Sequence, residues 1–100
     1  MKKIPTIEEL RKSGHRVRVQ RVRPYFIERR LWQFDDSTAR LNGVKSFVYH
    51  CGGTTTVHIR KPDGTEVRGT SECLINEPFV RKVGTEIAIA RALNLPVPQH

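Results

Sequence analysis

Apolar and polar positions alternate most regularly over Arg16-Val17-Arg18-Val19-Gln20, the period of two that a half-buried strand shows. One face of that strand is valine and the other is arginine. Arg21-Val22-Arg23 shifts the alternation by one residue, as a bulge or a strand end would, and Pro24 then stops a strand predicted over about residues 15–23. Ahead of it, Met1 to Pro5 reads as a loose arm. Thr6-Ile7-Glu8-Glu9 has the capping-box form T-x-x-E, so a short helix is predicted over residues 7–13, with Ile7 and Leu10 inward and Gly14 as its C-terminal cap.

The second half repeats these signals. Thr54 to Arg60 is rich in β-branched residues, with Val57 and Ile59 on the inner face. Pro62-Asp63-Gly64 is a turn, and Thr65 to Leu74 returns with Val67, Gly69, Ser71 and Cys73 on alternate positions. The small inner residues Gly69 and Ser71 invite close packing against the sheet. Asn76 or Glu77 is placed to cap a long helix with Pro78 in its first turn, running to about Leu93 or Asn94. Phe79, Val83, Ile87 and Ala90 share one helical face, beside a small-residue stripe of Val80, Gly84, Ala88 and Ala92. Ile89 falls towards the polar side with Lys82 and Glu86, where it would meet the middle segment or a partner.

That middle segment, residues 24–53, has no clean period. It holds turn signals at Asp35-Asp36-Ser37 and Asn42-Gly43, a candidate strand over Val44 to His50, and a Gly52-Gly53 pair that ends it. The prediction is an α+β domain, residues 1–100, in the order α-β-β-β-α. A three-stranded antiparallel sheet packs against the C-terminal helix, with a fourth strand if the irregular excursion at about 24–53 carries a hairpin of its own.

Charge sharpens the picture. The chain carries 18 Lys+Arg against 10 Asp+Glu, a net +8. Residues 11–30 hold eight of those cations against one acid, Glu28, which is +7 of the +8. Twelve of the cations are arginine, the side chain that grips phosphate bidentately. The isoelectric point near 10.2 suits an anionic partner. No apolar run reaches the ~18–20 residues of a membrane span, and the basic start MKK lacks the apolar core of a signal peptide. With two cysteines, Cys51 and Cys73, no disulfide framework is implied, and both are expected as free thiols in a cytoplasm, Cys73 buried.

Candidate chemistry is sparse. His50, Cys51, His58 and Cys73 lack the spacing of a zinc site, so no metal and no cofactor is expected. No nucleophile with a base, phosphate loop or apolar-set carboxylate pair is visible, so no enzyme is proposed. Trp32, Phe34, Phe47 and Tyr49 fit a small secondary core better than a base-stacking platform. Arg81 and Lys82 stand out because cations oppose the macrodipole at a helix N-terminus. Either an anion is held there, or the pair is neutralised by Glu77 or Glu86.

The order of elements resembles the double-stranded-RNA-binding domain, most closely in the Thr54–Arg60 strand, the Asp63-Gly64 turn, the Thr65–Ser71 strand and a helix with Arg81-Lys82 near its start and Ala-Arg-Ala-Leu near its end. In that family a basic pair at the start of the last helix meets phosphates, which the resemblance assigns here to Arg81 and Lys82. The chain departs from the family in the long 24–53 excursion and in Thr85 or Glu86 where a further helical lysine is expected. The stretches IEELRKSGHRVRV and RKVGTEIAIARAL also look like small proteins of bacteriophages and prophages, which would set the chain in a host cytoplasm. The expected function is binding of double-stranded DNA or RNA, more than single strands, through phosphate contacts by Arg16, Arg18, Arg21, Arg23, Arg81 and Lys82. The alternative is a phage-type interaction protein that binds and inhibits or redirects a host protein, with no nucleic-acid ligand of its own; under either reading a monomer or homodimer is expected.

Overall fold

The capping box does start a helix. In the computed structural model, which describes residues 4–27, 30–41, 48–49 and 51–97, α1 spans Ile7–Lys12. Thr6 Oγ1 accepts from the Glu9 N–H at 3.1 Å, and Glu9 Oε1 accepts from the Thr6 N–H at 3.4 Å. Then follow β1 (Arg16–Ile27), β2 (Arg30–Asp35), α2 (Asp36–Leu41), β3 (Cys51–Arg60), β4 (Glu66–Pro78) and α3 (Arg81–Ala92). The fold is α+β. Its antiparallel sheet has four strands in the order β2-β1-β3-β4, with β2 coming from the segment expected to be irregular.

The first strand is longer than its pattern suggests. β1 runs through Pro24 without a bulge, pairing with β3 from Arg16↔Arg60 to Val22↔Thr54 and with β2 from Val22↔Asp35 to Ile27↔Arg30. Pro24 has no N–H to give to the ladder, while its carbonyl accepts from the Tyr49 N–H at 2.9 Å. The unbroken alternation carries a consequence for the arginines. Arg16 and Arg18 point away from the valines, as predicted, whereas Arg21 and Arg23 turn to the same face as Val17 and Val19. Within residues 44–50, only Val48 and Tyr49 are described, and Val48 makes an isolated bridge to Tyr25. Phe47 and His50 lie outside the described residues.

Gly52-Gly53 does not end a strand but sits inside β3. Gly53 pairs with Cys73 and Cys51 with Pro78, so residues 74–77 of β4 bulge opposite Gly52. Gly53 has φ +133°, and a Cβ there would press on the Phe79 ring at 3.0 Å, so this position needs glycine for backbone and space alike. Because β4 persists to Pro78, α3 starts at Arg81 and not at Pro78. Val80 occupies the N-cap without a side-chain bond, and neither Asn76 nor Glu77 caps the helix.

All three helices lie over one side of the sheet. Leu10 of α1 and Ala88, Ile89 and Ala92 of α3 close a core with Val17, Val57 and Ile59, while Ile4 of the arm and Ile7 flank it. Ile89, expected towards the polar side, is buried because α1 packs there. The small-residue stripe works as predicted at its centre. The backbone of Ala88 and Ala92 sits so close to Gly69 that no Cβ fits there, and a Cβ on Gly84 would lie 2.9 Å from Thr55 Oγ1. Val80, assigned to that stripe, is instead half exposed. Cys51 is the buried thiol. Cys73 is half-buried, its sulfur 3.3 Å from the Glu77 carbonyl and 3.5 Å from that of Pro78.

Candidate nucleic-acid interface

The face of the sheet turned away from the helices is built by the even-numbered residues of β1, β3 and β4, and register sets them in rows. One row is Arg16, Arg60 and Glu66. The next is Arg18, His58 and Arg68, and the third is Gln20, Thr56 and Thr70. The two basic rows line a shallow depression of about 530 Å³. Arg16, Arg18, Arg60 and Arg68 are all exposed, and His58 is half-buried between Arg18 and Arg68.

Electrostatically this arrangement is mildly unfavourable. Like charges placed directly opposite across strands are destabilising, by roughly 0.2–1 kcal/mol a pair. Arg16 faces Arg60 directly. The one acid in these rows, Glu66, meets Arg60 at 3.9 Å with both side chains well exposed, a pairing that water screens. The third row is neutral. Thr56 and Thr70 hydroxyls lie 3.3 Å apart. Nearby, the Gln20 side chain and the backbone N–H groups of Ser37 and Thr38 at the start of α2 hold the Asp35 carboxyl below the usual carboxylate range.

The six residues singled out from the sequence therefore do not form one surface. Arg16 and Arg18 join the open face. Arg21 donates to Thr85 Oγ1 of α3 at 3.0 Å. Arg23 lies 4.3 Å over the Phe79 ring and donates to the Tyr49 carbonyl at 3.5 Å. Both of these guanidiniums fasten the sheet to the helix layer. Arg81 reaches an acid outside its own helix. It pairs at 3.4 Å with Asp36 of α2, which also accepts from the Tyr25 hydroxyl at 2.9 Å. Lys82 is exposed and lines a cleft of about 690 Å³ with Arg21 and Arg81, on the side opposite the basic rows. Tyr25 is buried edge-to-face against Phe34, as a secondary core requires, but Trp32 is 48 % exposed.

Sequence reasoning missed Arg60 and Arg68 as partners of Arg16 and Arg18. The signal was present in the Asp63-Gly64 turn, which sets Arg60 against Glu66 and hence Arg68 beside His58. Among the described residues no group of three or more His, Cys, Asp and Glu side chains is placed to hold a metal ion. No described helix is long and apolar enough to cross a membrane. Comparison with family models, with curated proteins and with solved structures finds no match for this chain.

Proposed function

We propose that the chain is a nucleic-acid-binding protein and that its contact surface is the open face of the sheet. The observation behind this reading is the cross-strand stacking of like charge. Arg16 opposite Arg60, beside Arg18, His58 and Arg68, raises the energy of the unliganded fold in a way a polyanion would relieve. Arginine suits the task because its planar fork engages two phosphate oxygens at once. The helix-side cations contribute less, since Arg81 is already neutralised by Asp36 and Arg21 and Arg23 hold the layers together.

The test is a binding titration by fluorescence anisotropy with the parent and with an Arg16→Gln/Arg18→Gln/Arg68→Gln variant, whose circular dichroism should match the parent. Affinity should fall at least tenfold in the variant. Unchanged affinity would remove the open face from consideration. A second reading, a protein partner, draws on Leu74 and Ile75, exposed at 62 % and 50 % where β4 bulges away from β3. Absence of binding to any nucleic acid at low salt, with the protein folded, would favour that reading.

A further inference from the structure

The same face says what form of nucleic acid it accepts and how it is read. We infer that the open face, resting on the reading above, takes a duplex from outside its grooves by phosphate contacts alone, without distinguishing sequence.

Three observations carry this. The first is width. The basic rows run across β1, β3 and β4, three strands spaced about 4.8 Å apart. The major groove of B-DNA, about 12 Å wide, admits a helix or a two-stranded ribbon. A three-stranded band with arginines standing on all its strands does not enter it. The major groove of A-form RNA is deeper and narrower still. The band therefore straddles a groove and reaches phosphates on both sides, which a single strand cannot supply together.

The second observation is the absence of a stacking platform. Along the outward positions Arg16 to Val22, Thr54 to Arg60 and Glu66 to Glu72 there is no tryptophan, tyrosine or phenylalanine. Single strands are gripped mainly by stacking bases on such rings. Of the described rings, Tyr25, Phe34 and Phe79 are engaged on the helix side instead, and Trp32, paired with Tyr25, stands on that side as well.

The third concerns base reading. Base edges are read by arginine, amide and hydroxyl side chains that enter a groove, and a band held outside the groove does not bring its own to them. Of the hydroxyls on this face, those of Thr56 and Thr70 also lie 3.3 Å from each other. Outside the groove the four arginines meet phosphates, Arg60 by exchanging its solvent-screened contact with Glu66.

The deciding experiment measures affinity for two unrelated DNA duplexes, an RNA duplex of equal length, and the matching single strands, across a salt series. At least one kind of duplex should bind fivefold or more tighter than its single strands, with the two DNA duplexes within fivefold of each other. If DNA is the duplex bound, the log–log salt slope should be about −3 to −4, at roughly −0.9 per phosphate for four arginines. A single strand bound as well as the duplex, or a larger preference between the two DNA duplexes, overturns this inference. If such binding is still lost in the triple glutamine variant, the assignment of the face itself survives. No binding to any of these probes removes the assignment as well.

Discussion

The two faces of the sheet use the same residue type to opposite ends. On the helix side, Arg21 and Arg23 are half-buried, one on a threonine hydroxyl and one on an aromatic ring. On the open side, Arg16 and Arg18 stand in solvent among other cations, with little to neutralise them. All four come from one strand within eight residues, and only the parity of their positions separates them. An arginine that fastens two layers contributes to stability, whereas an arginine facing another arginine subtracts from it. Removing an arginine should therefore move stability in opposite directions on the two faces.

The largest effect should come from filling the helix side where it is tightest. Gly69 has the backbone of α3 directly above it, with the Ala88 carbonyl and Ala92 amide where a Cβ would go. Gly69→Ala must push α3 off the sheet or bend the strand, and overpacking of this kind costs ~1–3 kcal/mol or more. A loss near the upper end of that range is expected in urea denaturation. Thr70→Ala, one residue along on the open face, should cost less than ~1 kcal/mol. Equal losses at the two sites would mean that the faces do not differ in packing.

Next in size are the fastening arginines. Arg21→Ala removes the charge-assisted bond to Thr85, a kind of interaction worth ~1.5–3 kcal/mol where it is partly buried. Arg23→Ala exposes one side of Phe79 and removes a cation–π contact of ~0.5–2 kcal/mol. Each should lower the denaturation midpoint and leave nucleic-acid affinity within about twofold at temperatures where the variant stays folded. A large loss of affinity in a folded Arg21→Ala protein would place the ligand on the helix side, in the cleft shared by Arg21, Arg81 and Lys82.

How much of this was legible follows from where the determinants lie in the chain. The capping box at Thr6, the hairpin at Asp63-Gly64 and the glycine and alanine contact surfaces are local or periodic, and each appears where the sequence places it. The inward turn of Arg21 and Arg23 was not legible. Their positions look polar, and only the continuous pairing of β1 with β3 and then β2 shows that the alternation never breaks. The pairing of Arg81 with Asp36 is also hidden, because those residues are 45 positions apart and meet only through α2. The late start of α3 has the same origin. Pro78 is an acceptable first-turn residue, and its capture by Cys51 at the end of β4 is a long-range event.

The smallest effect tests the open face without any ligand. Arg16 faces Arg60, and both are exposed, so their repulsion depends on ionic strength. Replacing Arg16 by glutamine keeps the outward position and most of the aliphatic stem while removing one charge of the pair. In dilute buffer Arg16→Gln should be as stable as the parent or more so, by up to ~0.5 kcal/mol, since exposed charge pairs of either sign are worth little. At about 1 M salt the Debye length falls to about 3 Å, and the difference should vanish. The sign matters more than the size, because the same substitution should weaken nucleic-acid binding. A variant that gains stability and loses affinity would identify Arg16 as a residue whose charge serves the ligand and not the fold. A variant that is less stable in dilute buffer would show instead that Arg16 is held favourably by the sheet, and the electrostatic argument for the open face would lose its footing.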